Sequence, residues 1–219
     1  MRVICISGKA QHGKSTTATM MKSKLEKSGK NVLIANYAGL VKYICEAFFD
    51  WDRKKDDKGR ALLQFVGTDV IRAQEPDYWV DFIADMLTFF NGKWDYVIMD
   101  DCRFPNEITK LMSRGFKVTH VRVIRDGFKS PLDDKAQRHI SETALDNVVP
   151  DFEIMNSGTL SDLRETIDEV LIWITGDLTH DEYIALRKAS DRFFDMLLST
   201  LSADKAMEFL TLATKELGE

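Results

Sequence analysis

The sequence contains little that would indicate a disulfide-bonded or membrane-embedded protein. Only 3 of its 219 residues are cysteine, and they are scattered without a Cys-x-x-Cys pair. An odd number of separated cysteines argues against a disulfide framework. No apolar run approaches the length needed to cross a bilayer, and we expect no leader peptide before the first apolar stretch. We therefore expect no membrane contact and a location in the reducing cytoplasm.

A strong charge of one sign is also missing. The net charge of −5 gives no general attraction to the phosphate backbone of a nucleic acid, so we expect no nucleic acid partner. Any phosphate recognition must therefore be local. The hydrophobic share of 44% and the charged share of 30% are typical of a soluble globular protein. The chain is long enough for one large core, with or without an appended element.

What the sequence does contain is a phosphate-binding loop near its start. Residues 8–15, GKAQHGKS, have the spacing Gly, four residues, Gly-Lys-Ser, and we call them the glycine loop. An apolar run at residues 2–7 precedes it, and a helical pattern at residues 16–28 follows. Strand, glycine loop and helix in this order are the context that the motif requires. Backbone N–H groups of such a loop, together with the helix N-terminus, bind polyphosphates.

Two side chains of the glycine loop suit the chemistry of a nucleoside triphosphate. Lys14 would reach the β- and γ-phosphates, and the Ser15 hydroxyl would hold a magnesium ion. We therefore predict that the chain binds ATP together with Mg²⁺. In this region the predicted ATP-binding residues are Gly8, Gln11, His12, Gly13, Lys14, Ser15 and Thr16.

Apolar runs alternate with helical patterns along the first 176 residues. Such alternation predicts a parallel sheet covered on both faces by helices. The predicted strands are residues 2–7, 31–36, 96–99, 118–124 and 152–156.

Three segments exceed what such a sheet needs. Residues 37–91 contain three or four helical patterns, with short pieces at 61–65 and 70–73 after a charged link, and predict an inserted substrate-binding arm. The polar residues 126–149 predict a mobile lid. Residues 177–219 predict a helical hairpin that follows a domain of residues 1–176. The hairpin either packs on that domain or pairs two copies into a homodimer.

Polar residues follow several of the predicted strands. Ligands of open parallel sheets bind at the carboxyl ends of the strands. A triphosphate with magnesium needs a carboxylate near the glycine loop, and either Asp100 or Asp101 could supply it, the other being free to cap a helix. Phosphoryl transfer also needs positive charge on the moving group. The candidate arginines in loops and at strand ends are Arg60, Arg72, Arg103, Arg122, Arg125 and Arg138.

Three stretches together resemble a known family. They are the glycine loop with Thr16, residues 64–72 (QFVGTDVIR) and residues 101–107 (DCRFPNE). In combination they look like the phage-type deoxynucleoside monophosphate kinases, and Ser141-Glu142 and residues 156–159 add to the likeness. The animal phosphomevalonate kinases are more distant relatives with a similar Asp-x-Arg element. The resemblance covers about residues 1–175 and leaves the predicted hairpin outside.

The resemblance implies a three-layer α/β P-loop NTPase fold of the nucleoside monophosphate kinase type. It also implies transfer of the ATP γ-phosphate to the 5′-phosphate of a deoxynucleoside monophosphate, giving the diphosphate. It favours Asp101 as the strand-end acid that holds the metal with Ser15, and it places Asn156 beside the adenine. The implied catalytic residues are Lys14, Arg72, Arg103 and Arg125. The implied acceptor-binding residues are Lys42, Gln64, Asp69, Arg72, Asp101 and Arg103, and the implied lid residues are Arg138, Ser141 and Glu142.

Besides an inactive nucleotide-binding relic, two other interpretations remain open. Arg72 and Arg103 would suit any phosphomonoester, so a P-loop kinase with a non-nucleotide acceptor such as phosphomevalonate is one alternative. The other is a nucleotide-dependent switch whose tail binds a partner. Against the switch, the sequence has no Asn-Lys-x-Asp element for reading guanine. The residues do not identify the base of the acceptor.

Overall fold

Short apolar segments form one parallel sheet in the computed structural model. The structure describes residues 1–54 and 56–176, together with Arg192 and Met196. Within these residues the sheet has five strands in the order β2-β3-β1-β4-β5, all parallel. The predicted parallel sheet is confirmed, with every strand end within about one residue of its predicted position. The strands are β1 (Arg2–Ser7), β2 (Val32–Ala35), β3 (Tyr96–Met99), β4 (Lys117–Ile124) and β5 (Phe152–Met155).

The central strands β1 and β3 lie in the core. Val3, Ile4, Val97 and Ile98 have no exposed surface. Strands covered on both faces are near-continuous apolar runs, which is why the two segments lack the alternation of a half-exposed strand. Because β1 lies between β3 and β4, the segment that follows it emerges at the middle of the carboxyl edge of the sheet.

Helices connect the strands in the described ranges. The last of them begins with a capping box. The Thr159 N–H donates to Asp162 Oδ2 at 2.7 Å, and the Asp162 N–H donates to Thr159 Oγ1 at 3.3 Å. The helices are α1 (Lys14–Lys27), α2 (Ala38–Phe49), α3 (Asp57–Gln64), α4 (Tyr78–Phe89), α5 (Asn106–Ser113), α6 (Asp134–Gln137), α7 (Ile140–Thr143) and α8 (Leu160–Thr175).

Residues 57–72 form one continuous helical run, which corrects the prediction of a charged link followed by two short pieces. Helix α3 begins at Asp57 because the Asp56 carboxylate accepts the Gly59 N–H at 2.8 Å. It continues into a π-helical segment, Phe65–Arg72. Such turns are often found where a helix contributes to a functional site.

Packing stabilises the π-helical segment around its glycine. A Cβ atom at Gly67 would lie 3.1 Å from Val41 Cγ1 of α2, so the missing side chain allows close helix contact. The Gly67 carbonyl also accepts the indole N–H of the buried Trp79 at 2.9 Å. Contacts with two neighbouring helices therefore override the weak helical propensity of this glycine.

The chain divides into two compact units, Met1–Ile172 and Trp173–Glu219. Of the second unit the structure describes residues 173–176, Arg192 and Met196. The predicted helical hairpin therefore lies outside the described residues, and the homodimer and the domain boundaries stay predictions. None of the helices in the described ranges has the length and apolarity needed to span a membrane.

Candidate active site

The glycine loop lies against two neighbouring segments that leave no room for side chains. Gly8 has φ +142°, and a Cβ there would lie 2.4 Å from the carbonyl oxygen of Val123 in β4. Gly13 has φ +101°, and its Cβ would lie 2.3 Å from Nδ2 of Asn156 after β5. Both the space and the backbone conformation therefore require glycine at these two positions.

The Lys14 side chain folds back over the glycine loop. Its Nζ donates to the carbonyl oxygens of Gly8 at 2.7 Å and Lys9 at 2.9 Å. Burial lowers the pKa of Lys14 to about 8, and the nearby Arg103 guanidinium acts in the same direction. Lys14 is thus a cation held in place at the mouth of the loop, where a bound anion would meet it.

The structure distinguishes the two neighbouring aspartates after β3. Ser15 Oγ donates to Asp100 Oδ2 at 2.9 Å. The Asp101 carboxylate instead accepts the N–H groups of Tyr37 and Ala38, both at 2.9 Å, and so caps the N-terminus of α2. Burial raises the pKa of Asp101, whereas these two hydrogen bonds lower it. Asp100, rather than the Asp101 favoured by the resemblance, therefore lies beside the predicted magnesium ligand.

The Ser15–Asp100 pair fits a magnesium ion chemically. Hydroxyl and carboxylate oxygens are ligands that Mg²⁺ takes, usually together with substrate phosphates and water. Among the described residues no group of three or more His, Cys, Asp or Glu side chains could hold a metal. An ion at this pair would therefore complete its coordination with oxygens of phosphate or water.

The predicted lid residues Ser141 and Glu142 lie in α7, where both contact Arg103 and Glu142 also contacts the glycine loop. Arg103 Nη1 donates to the Ser141 carbonyl at 3.0 Å and forms an ion pair with the Glu142 carboxylate. The second Glu142 oxygen accepts the Ala10 N–H at 3.3 Å, and Lys9 Nζ donates to the Glu142 carbonyl at 2.7 Å. A carboxylate of the lid thus lies against a backbone donor of the loop.

Arg72 at the end of the π-helical segment is nearly buried. Its Nη2 lies 2.6 Å from Glu107 Oε1, and its Nη1 donates to Asn106 Oδ1 at 3.1 Å. The guanidinium carbon lies 4.0 Å from the centre of the Phe104 ring. The side chains of Arg72 and Glu107 are 10% and 2% exposed, so little water competes with this ion pair.

A cavity of about 550 Å³, here called the central cavity, opens between the glycine loop, α2, the π-helical segment and the lid. Its volume is that of a small-molecule pocket. The structure brings most of the predicted side chains to its wall. The candidate residues that line it are Gln11, Lys14, Ser15, Lys42, Arg60, Gln64, Arg72, Asp100, Asp101, Arg103, Ser141 and Glu142.

Of the residues predicted for acceptor binding or for the lid, two do not line the central cavity. Asp69 faces the lid, where its Oδ1 lies 3.4 Å from His139 Nε2. Arg138 donates from Nε to the Asp134 carbonyl at 3.0 Å, a contact within the lid itself. The expected roles of Asp69 in acceptor binding and of Arg138 as a lid cation therefore have no support from their positions.

Hydrogen bonds connect His12 of the glycine loop with Arg125 and Asn156. The backbone N–H of Arg125 donates to His12 Nδ1 at 3.2 Å. The Arg125 guanidinium carbon lies 4.6 Å from the centre of the Phe128 ring, and the centres of the His12 and Phe128 rings are 6.0 Å apart. Burial lowers the pKa of His12, which favours the neutral ring that can accept this bond. Asn156 Nδ2 donates to the His12 carbonyl at 2.9 Å, whereas Thr16 is exposed in the first turn of α1. Arg125, His12 and Phe128 together form a cationic and aromatic cluster at the glycine loop.

Comparison with known proteins places the chain in a family. The family model for deoxynucleotide monophosphate kinase matches residues 40–167, more than half of the chain. The chain belongs to this family. The matched residues contain most of α2, the π-helical segment, the β3–α5 turn and the lid, whereas the glycine loop precedes them.

Two curated relatives named deoxynucleotide monophosphate kinase come from phages. The Enterobacteria phage T4 protein is 35% identical and the Escherichia phage RB69 protein 31% identical, each over 114 residues. These residues are 51% of this chain and 44% of each relative, so the match spans less than half of the relatives' length. Among solved structures, the Mycobacterium tuberculosis APS kinase with AMPPNP and APS has a TM-score of 0.44 and 10% identity, covering 80% of this chain and 97% of that one.

Several contacts of this family member's site were missed by reasoning from sequence. Lys9 occupies a position that the loop motif leaves unspecified, and it contacts Glu142 of the lid. Phe128 packs against the Arg125 guanidinium. Glu107 was part of a recognised motif but had no predicted role. A signal for it was present, because a glutamate in the first turn of a helix often accepts N–H groups of the preceding turn.

Proposed function

We propose that this chain transfers the γ-phosphate of ATP to the 5′-phosphate of a deoxynucleoside monophosphate. The observation that carries the proposal is that one cavity is lined by Lys14 of the glycine loop and by Arg72 and Arg103 from two other elements. This arrangement suits two phosphorylated ligands whose phosphate groups lie next to each other inside the cavity. Family membership supports a deoxynucleotide as the acceptor.

The reaction asks little covalent chemistry of the protein. An oxygen of the acceptor phosphate attacks the γ-phosphorus, the bond from that phosphorus to the β–γ bridging oxygen breaks, and ADP leaves. The acceptor oxygen is already ionised, so no general base is needed. The protein contributes alignment and positive charge. Lys14 would hold the donor phosphates, and Arg72 and Arg103 would hold the acceptor phosphate.

Ser15 and Asp100 would hold the magnesium ion that accompanies ATP, in place of the expected Ser15 and Asp101. When bound, magnesium neutralises charge on the phosphate oxygens. Asp101 would act instead through α2, whose N-terminus it caps and whose Lys42 lines the acceptor side of the central cavity.

The lid would exclude water, which is the competing acceptor. Its Glu142 now accepts the Ala10 N–H of the glycine loop. An incoming phosphate would take over this N–H, and Glu142 would remain paired with Arg103 or yield that partner to phosphate as well.

A panel of acceptors tests the proposal. ADP formation from ATP is measured with each deoxynucleoside monophosphate, with phosphomevalonate and without acceptor. We expect ADP release that depends on at least one deoxynucleotide. Release with phosphomevalonate alone would instead indicate a kinase for a non-nucleotide acceptor. Slow hydrolysis without acceptor dependence would indicate a nucleotide-dependent switch.

Replacing Arg72 with alanine should raise the KM for the monophosphate by about tenfold or more, because a charged hydrogen-bond partner of the phosphate is lost. The KM for ATP should change less. Arg114→Ala is the control, since Arg114 pairs with Asp81 and Asp85 on α4 and does not line the central cavity. A larger effect on the KM for ATP would mean that the two sites are assigned the wrong way round.

ATP binding should weaken as the pH rises above 8. The Lys14 pKa is lowered to about 8 from its ordinary value of 10.5, so the free protein loses this positive charge above pH 8 rather than above pH 10. The association constant for a non-hydrolysable ATP analogue should then fall by up to about tenfold per pH unit, as linkage to one proton requires. Calorimetry between pH 7 and pH 9.5 measures this slope. Lys14→Ala should bind weakly and lack the slope, and an equal slope in both proteins would exclude Lys14 as its source.

A further inference from the structure

We propose that Glu107 is a positioning residue that fixes the phosphate-binding arginines Arg72 and Arg103 relative to each other. The inference rests on the proposed function, which assigns the acceptor phosphate to these arginines. Glu107 is the second residue of α5, is 2% exposed, and lies in the wall of the central cavity. Its two carboxylate oxygens bind different partners.

The carboxylate connects two segments that are distant in sequence. Oε1 lies 2.6 Å from Arg72 Nη2 at the end of the π-helical segment. Oε2 accepts the backbone N–H of Arg103 at 2.6 Å and that of Phe104 at 3.1 Å, in the turn between β3 and α5. One rigid group therefore determines both the guanidinium position of Arg72 and the backbone position of Arg103.

Other contacts complete the support of Arg72. The Phe104 ring lies against one face of its guanidinium, and Nη1 donates to Asn106 Oδ1 and, at 3.3 Å, to the Pro76 carbonyl. A guanidinium held in one orientation loses less conformational freedom when it binds phosphate. Phosphoryl transfer depends strongly on such alignment of the acceptor.

A helix cap alone does not account for a charged group here. Two backbone N–H groups can be satisfied by a neutral oxygen, and a buried carboxylate is unfavourable unless it is paired. Burial raises the pKa of Glu107 to about 7, while Arg72 and the two N–H bonds oppose that shift. The partner that benefits from the negative charge is Arg72.

Kinetics of Glu107→Gln test the proposal. Glutamine keeps the shape but replaces one acceptor oxygen with an NH₂ donor, which cannot accept from Arg72 or from the backbone. We expect the KM for the monophosphate to rise by about tenfold or more and the KM for ATP to change less than about twofold. Glu107→Asp, which keeps the charge on a shorter chain, should restore part of the loss. Ile108→Val on the same helix is the matched control, with a modest loss of thermal stability and unchanged KM values.

A double-mutant cycle separates positioning from a merely structural role. If Glu107 acts partly through Arg72, Glu107→Gln should raise the KM for the monophosphate by a smaller factor in the Arg72→Ala protein than in the wild-type protein, and the remaining effect would come through Arg103. Effects of the two changes that multiply would overturn the proposal. So would a folded Glu107→Gln protein with unchanged KM values.

A measurement without substrates separates this inference from the proposed function. In the nucleotide-free protein, the Arg72 Nη–H signals in NMR should be resolved because Glu107 and Asn106 restrict rotation of the guanidinium. Glu107→Gln should broaden them, whereas Ile108→Val should not. Unchanged signals in Glu107→Gln would overturn the positioning role, whatever the acceptor is. Broadened signals in a protein that phosphorylates no deoxynucleotide would instead contradict the proposed function alone. If Glu107→Gln does not fold, Glu107→Asp takes its place in each test.

Discussion

Replacing Lys14 with alanine should reduce turnover at least about a hundredfold, the effect of losing one preorganised charge donor. The ammonium group is already held over the glycine loop by the carbonyls of Gly8 and Lys9. Charge on the moving phosphoryl group would therefore be stabilised without rearrangement of the side chain. Steady-state turnover with saturating ATP and deoxynucleotide measures the effect.

The control for this experiment is Lys24→Ala on the same helix. Lys24 pairs with Asp168 and does not line the central cavity, so its loss should leave turnover nearly unchanged. Thermal unfolding of both variants shows whether a loss of activity reflects a loss of fold. Near-normal turnover in Lys14→Ala would remove the glycine loop from the mechanism.

Replacing Asp100 with asparagine should have the second largest effect, a loss of turnover of about a hundredfold. The Asp100 carboxylate contacts Ser15 and would share the magnesium ion with it. We therefore also expect a higher magnesium concentration for half-maximal activity. A magnesium titration at fixed ATP measures this shift.

Asp101→Asn is the matched comparison, because the two carboxylates are adjacent in sequence. Asp101 caps α2, so its replacement should lower the free energy of unfolding by about 1 kcal/mol and leave the magnesium dependence unchanged. The opposite pattern would be a higher magnesium requirement in Asp101→Asn and an unchanged one in Asp100→Asn. That result would show that Asp101, which the family resemblance favours, holds the metal.

The parts of the site that could be predicted from sequence are those with local signals. The glycine loop, the apolar run of β1 and the helix after it lie within one short segment, and each has its own residue pattern. The alternation of strands and helices likewise predicted the parallel sheet. The family could be recognised because its motifs are short and contiguous.

The π-helical segment shows where local signals fail. Gly67 and Thr68 suggested a break between two short helices, and residues 57–72 are instead continuous. The helix persists because Val41 and Trp79 pack against Gly67 from α2 and α4. Those contacts come from residues far away in sequence, so no pattern within the segment indicates them.

The amino-acid sequence alone determined the family, the sheet and the loop that suits a polyphosphate. Only the tertiary structure decided which of two adjacent carboxylates faces Ser15, and which partners hold Arg72. The reason is geometric. Side chains at successive positions after a strand point in different directions, and what each one meets depends on helices whose positions follow from packing of the whole core. Asp100 accepts a hydrogen bond from Ser15 in α1, and Asp101 accepts N–H groups at the start of α2. Glu107 accepts from the guanidinium of Arg72 in the π-helical segment.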